Sequence, residues 1–298
     1  MVIYILCPRV RTGGPENMHQ LCDACNRLGR TAYIVYLEWG VLSPTDGPLY
    51  AESYSELRWA TMDQVVDGPD VTVVVPEVLC PEQLASSMPK SRLIWWWLSW
   101  DNGAANVAAF LGNRHARIQH AFQSRYAQDM AQRTLRVTGF FLPDYLNGSF
   151  DAHTPSARHS DGEFAVVYNA TKDATVTRKV CERLGVRHLG MRDMTREEVA
   201  RAMQGALVYV DMGAHPGADR MPREAARLGC VVITGVAGSA GNEHDVPIDE
   251  KCRDELELES MLPLVLADYE GYFAKQAAFR RAISTDKARF FRCVSEIF

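Results

Sequence analysis

Glu224 stands in a segment whose residue types and order could hold a phosphorylated or hydroxylated ligand: DMGAHPGADRMPREAARLGCVVITGVAG, from Asp211 to Gly238. The apolar run LVYVD (Leu207 to Asp211) before the loop reads as a strand. Pro222 suits the first turn of a helix, where its missing N–H costs nothing. On that reading Glu224 falls in the same first turn, beside the positive end of the helix dipole. Gly229 closes the helix in the left-handed cap position, and CVVITG (Cys230 to Gly235) is a second buried strand. A carboxylate so placed accepts two hydrogen bonds from a vicinal diol such as a ribose, while free N–H groups beside it face phosphate. The plainer alternative is a Rossmann-like βαβ unit in which Glu224 only caps its helix.

Other residues could share that chemistry. Arg220 and Arg223 flank the helix start and suit phosphate, unless one pairs with Asp219 or Asp211; Gly217 lets backbone approach closely, and His215 offers an imidazole in an HP pair. YNATKD (Tyr168 to Asp173) follows another strand and supplies Asn169 and Lys172, whose cation would stabilise a departing pyrophosphate or simply be solvated. In SWDNG, Asp101 emerges after the most apolar strand of the chain, as a carboxylate that could take a proton from an attacking hydroxyl or cap the turn. Trp95, Trp96, Trp97 and Trp100 are read mostly as core. Gly13 and Gly14 lie in the loop after the first strand, followed by Glu16, either a first-turn acid or a polar group facing a ligand.

The elements needed to position these groups are legible. VIYILCP, TAYIVYLE, VTVVVPE, RLIWWWLSWD and ARIQHAFQS are near-continuous apolar strands, the pattern of a parallel sheet covered on both faces. Met18, Leu21, Cys22, Cys25 and Leu28 recur at helical spacing, and Gly29 ends that helix. LPDYLNGSFDAHTPSARHSDGE (Leu142 to Glu163) reads as a linker. Alternation resumes with EFAVVYNA, a helix ended by Gly185, VRHLG, and a helix opened by a Thr195/Glu198 capping box. The expected fold is α/β, two Rossmann-like doubly wound domains over 1–150 and 151–298, facing a cleft, with amphipathic helices from Asp254 onward. GSAGNEHDVPI (Gly238 to Ile248) reads as a mobile loop suited to folding over a ligand, or as plain surface.

Glu224, Ala225, Ala226, Gly229 and the strand from Val231 resemble the second half of the donor-site motif of retaining GT-B glycosyltransferases. That motif has two glutamates with seven residues between them, and the position of the first is Pro216 here. The resemblance therefore implies a ribose role for Glu224 and leaves the retaining stereochemistry behind. It also implies a glycine-rich acceptor or phosphate loop at Gly13, Gly14 and Glu16, a pyrophosphate cation at Lys172, and a last helix, ARFFRCVSEIF, that returns to the first domain. The function expected is transfer of a sugar from a nucleotide-activated donor to a glycan or glycolipid acceptor in surface-polysaccharide synthesis, with Asp101 as base and His215 its substitute. Alternatives are a phosphoribosyl or other sugar-pyrophosphate transferase, a sugar-nucleotide epimerase, or a non-catalytic GT-B domain that binds sugar or nucleotide.

Composition excludes some partners. The 298 residues carry a net charge of −5, against a nucleic-acid partner whose phosphates call for a basic surface. No apolar run is long enough to span a membrane, and the eight cysteines show no disulfide framework. A cytoplasmic location follows, with at most peripheral contact at the inner face of the membrane. Cys22 and Cys25 form a CxxC that lacks a second pair. No DxD follows a strand, so no metal and no cofactor beyond the nucleotide-sugar co-substrate is expected.

Overall fold

The computed structural model describes residues 1–37, 47–112, 117–151, 164–172 and 174–298. Glu38, Ala116, Asp173 and the linker stretch 152–163 lie outside them. The chain divides into two compact units, Met1–Tyr145 with Lys287–Phe298, and Leu146–Asp286.

The first unit runs β1 (Val2–Pro8), α1 (Gly13–Arg27), β2 (Thr31–Leu37), β3 (Trp59–Ala60), β4 (Val71–Pro76), α2 (Glu82–Ser87), β5 (Arg92–Trp97), α3 (Ala104–Gly112), β6 (Ile118–Phe122), α4 (Arg125–Leu135) and β7 (Gly139–Phe141). Its seven strands form one parallel sheet in the order β3-β2-β1-β4-β5-β6-β7. The strands alternate between two cores: Ile3, Ile5, Cys7, Ile94 and Trp96 face one layer, Tyr4, Leu6, Trp95 and Trp97 the other. The three β5 tryptophans, Trp95, Trp96 and Trp97, are fully buried and Trp100 joins the second core, so none of these four is left to stack on a ligand. The short β7 needs Gly139, because a Cβ there would lie 2.0 Å from the His120 carbonyl oxygen.

In the second unit α5 (Gly148–Asp151) precedes β8 (Val166–Asn169), α6 (Thr175–Arg183), β9 (His188–Met191), α7 (Arg196–Gly205), β10 (Val208–Asp211), α8 (Arg220–Arg227) and β11 (Val231–Thr234). Three helices follow: α9 (Glu255–Ala267), α10 (Tyr269–Lys275) and α11 (Ala277–Ile297). The four strands are parallel, in the order β11-β10-β8-β9. Gly29, Gly185 and Gly229 end α1, α6 and α8 with φ of +76°, +62° and +97°, as their places after helical runs predict. The Thr195/Glu198 capping box opens α7. Gln276, between α10 and α11, is buried, and its amide accepts from Val232 N (2.9 Å) and donates to Val232 O (2.8 Å).

The breaks between the units differ from the expected residue 150. Leu142 and Tyr145, inside the expected linker, pack in the first unit's core, and Leu146 and Phe150 pack in the second's. Apolar side chains within a polar-looking stretch decide this. The second break falls inside α11, whose Phe290 and Val294, with Phe298 beyond it, belong to the first unit's core.

Candidate functional site

In open parallel sheets a ligand crevice forms at strand C-terminal ends where the strand order reverses. In the second unit that point lies between β8 and β10, since the chain moves outward to β9 and then returns to the other side of β8. The loops after these two strands meet there. Lys172 Nζ donates to the Ala214 carbonyl (3.0 Å) and to the Asp219 carboxylate, and lies 3.9 Å from Asp211 Oδ2. Asn169, the last residue of β8, closes its own turn: its Oδ1 accepts from Thr171 N and Thr171 Oγ1.

Asp211 ends β10 and is buried, held by Gly213 N on Oδ1 (3.0 Å) and by the Tyr209 hydroxyl on Oδ2 (2.9 Å). Burial works to raise its carboxyl, but the His215 imidazole, Lys172 and the Tyr209 hydroxyl outweigh it and hold the group below the usual carboxylate range. The Tyr209 hydroxyl is itself pushed well up, by burial first and by Asp211 and Asp219 beside it, so it remains a donor. His215 is fully buried, with Nε2 3.4 Å from Asp211 Oδ2. Its backbone is fixed by Ala237 O and Ser239 N, an approach open only to glycine at 238: φ is +69°, and a Cβ would stand 2.0 Å from the His215 oxygen. Ser239 Oγ donates to the Gly217 carbonyl. The loop expected to be mobile is thereby tied down at its start, and Ala240, Val246 and Ile248 within it are buried.

Helix α8 starts earlier than Pro222 suggests. Asp219 takes the extended cap conformation, so Pro222 is its third residue and Glu224 its fifth, in the second turn. The dipole's influence falls off within the first turn, and Glu224 therefore owes its environment to side chains. Its Oε1 is 3.6 Å from Arg220 Nε, with both side chains about nine-tenths covered. Asp219 makes no capping bond because its carboxylate serves Lys172. Arg223 donates to the Asp219 and Ala218 carbonyls and lies 3.6 Å from Asp286 Oδ2, so its guanidinium braces the loop.

In the first unit the order reverses between β1 and β4. Gly13 and Gly14 belong to α1, which starts at Gly13 after the cap residue Thr12, and not to a free loop. Glu16 is fully buried in the first turn and accepts from the Tyr54 hydroxyl (3.0 Å), which places it with a structural partner. Asp101 opens a 3₁₀ turn (Asp101–Gly103), is exposed, and accepts from the Tyr126 hydroxyl (2.9 Å). The capping role considered for it falls to Ser99, whose Oγ accepts from Asn102 N.

Two groups were missed. Glu77 directly follows β4 at the reversal point, and its buried Oε2 has no hydrogen-bond partner among the described residues. Burial pushes this carboxyl up to about 7. An acid directly after the run VTVVVP was the available signal. His19 is buried on α1 between the Pro15 carbonyl and the Tyr36 hydroxyl, and burial lowers it to about 4. Nothing in the local pattern distinguishes it from a core position.

No protein-family model matches the sequence, and no curated protein matches it. Solved glycosyltransferase structures match its fold along the whole length. HepE from Anabaena, solved with UDP and glucose, superposes with a TM-score of 0.68 at 15% identity, covering 99% of this chain and 98% of that one. A glycosyltransferase from Rickettsia africae gives 0.67 at 12%, covering 99% and 97%. Sucrose-phosphate synthase from Thermosynechococcus elongatus gives 0.68 at 11%, covering 99% and 98%. The fold is the GT-B fold, as the residues around Glu224 implied. No helix among the described residues is long and apolar enough to cross a membrane.

Proposed function

We propose that the chain is a glycosyltransferase that moves a sugar from a nucleotide-activated donor to a glycan or glycolipid acceptor, without a metal, in surface-polysaccharide synthesis. One observation carries the reading: the order reversal of the second sheet is occupied by the Lys172 ammonium, with Glu224 and Arg220 on the helix that follows the same loop. A cation there meets the charge that develops on a departing diphosphate. Glu224 provides the acceptor pair for ribose hydroxyls. HepE was solved with UDP and glucose, and a T4 phage transferase with UDP-glucose, which makes UDP-sugars the first donors to try.

In the proposed single displacement the acceptor oxygen attacks the anomeric carbon and its proton passes to the Asp101 carboxylate. The bond from that carbon to the diphosphate breaks, and the electron pair leaves with the nucleotide. Asp101 suits this because it is exposed at the C-terminal edge of the first sheet, its Oδ1 oriented by Tyr126. His215, the substitute base, is wholly covered and would have to be uncovered to act. The test is calorimetric titration with UDP, GDP, CMP and ADP sugars and with phosphoribosyl pyrophosphate, followed by product analysis with glycan acceptors. Binding without turnover would leave a non-catalytic sugar-nucleotide domain, and tight binding of phosphoribosyl pyrophosphate alone would replace the reading.

A further inference from the structure

The loop from Asp211 to Asp219 already surrounds a cation. The Lys172 ammonium is held by the Asp219 carboxylate and the Ala214 carbonyl, with Asp211 Oδ2 at 3.9 Å. Beside it the His215 imidazole is fully buried, and neither ring nitrogen has a hydrogen-bond partner among the described residues. Nε2 approaches Asp211 Oδ2 at 3.4 Å without the alignment of a hydrogen bond. Buried polar groups are nearly always bonded. One ligand atom each from Asp211, His215 and Asp219 lies within 4.8 Å of the others.

We propose that Asp211, His215 and Asp219 form a transition-metal site that competes with the Lys172 ammonium for one position. Two ligands of a tetrahedral ion with bonds of about 2.0–2.1 Å stand roughly 3.4 Å apart, which is the separation of His215 Nε2 and Asp211 Oδ2. Asp219 closes the set once it is released from Lys172, whose side chain is about a quarter exposed and has solvent to move into. The groups behind the ligands are in place: Gly213 N and the Tyr209 hydroxyl fix the Asp211 carboxylate, as second partners orient metal ligands elsewhere. One imidazole with two carboxylates favours Zn²⁺, Co²⁺ or Mn²⁺ over Mg²⁺ and Ca²⁺, which take all-oxygen shells. The competition reconciles such a site with metal-free transfer, because Lys172 and the ion exclude each other.

Titration of the full chain with Co²⁺, followed by visible absorption and calorimetry, tests this without any measurement of transfer, so it stands or fails apart from the proposed function. We expect one ion per chain, bound at least tenfold more tightly by Lys172→Met than by the wild type, and not displaced by millimolar Mg²⁺. In the Lys172→Met background, His215→Ala and Asp219→Asn should each weaken binding tenfold or more. Asp219 is partly exposed and makes no capping bond, so its variant keeps the test valid if the buried histidine cannot be removed without unfolding. Failure of both the wild type and Lys172→Met to bind Co²⁺, equal affinity of the two, or binding that survives the ligand changes would overturn the proposal.

Discussion

Replacing Glu77 by glutamine should change how the stability of the first unit depends on pH. In the folded chain the Glu77 carboxyl lies at about 7, against 4.5 for the free group, because it is 4% exposed and its buried Oε2 has no hydrogen-bond partner among the described residues. Its folded value is raised, so the folded state holds a proton that the unfolded state gives up. The sign follows: stability declines as pH rises above about 4.5 and levels off above about 7. A difference of roughly 2.5 units at 1.36 kcal/mol each amounts to about 3 kcal/mol. Glu77→Gln keeps the shape and removes the titration. Its unfolding free energy should therefore gain about 3 kcal/mol on the wild type's between pH 4.5 and pH 8, whatever offset the amide introduces at low pH. Urea unfolding followed by tryptophan fluorescence isolates this unit, since all six tryptophans lie at or before residue 100. Parallel pH profiles for the two proteins would show that the carboxyl is solvated or paired, and would refute the reasoning.

Three further outcomes are expected. Glu224→Gln should weaken nucleotide and donor alike by roughly 1–3 kcal/mol, the scale of a lost charged hydrogen bond, with little change in melting temperature; unchanged affinity in calorimetry would reduce Glu224 to a partner of Arg220. Asp101→Asn should leave donor affinity intact and lower turnover about a hundredfold, and a product with retained anomeric configuration by NMR would reject the single displacement. Donor binding and transfer should survive EDTA, and strict dependence on a divalent ion would exclude Lys172 as the group that meets the diphosphate charge.

The parallel sheets were legible because their strands are apolar on both faces, and the ends of α1, α6 and α8 because a left-handed cap calls for glycine. The start of α8 lies earlier than Pro222 alone suggests: Pro222 signals a first turn without saying which of its residues it is, and Asp219, a good cap by type, takes the cap position. The reach of the last helix into the first unit's core came from the family resemblance, but the place of the break depends on Tyr145 and Phe290, whose contact, with ring centroids 5.3 Å apart, joins residues far apart in sequence. The carbonyls that Arg223 braces, the burial of His215 and the raised Glu77 carboxyl are likewise products of tertiary packing. No local window carries them.

The Gln276 amide bears on how copies of this protein can meet. β11 is the outermost strand of its sheet, and an outer strand offers its open N–H and C=O groups as a template for another chain. Here Gln276 takes both groups of Val232, and Glu250 O and Cys252 N take those of Thr234. The side of β11 that a foreign strand would join is therefore occupied along these residues by the chain itself. Self-association by sheet extension is closed on this border, and a fibril or domain-swapped pair built through the second sheet would have to recruit β9 instead.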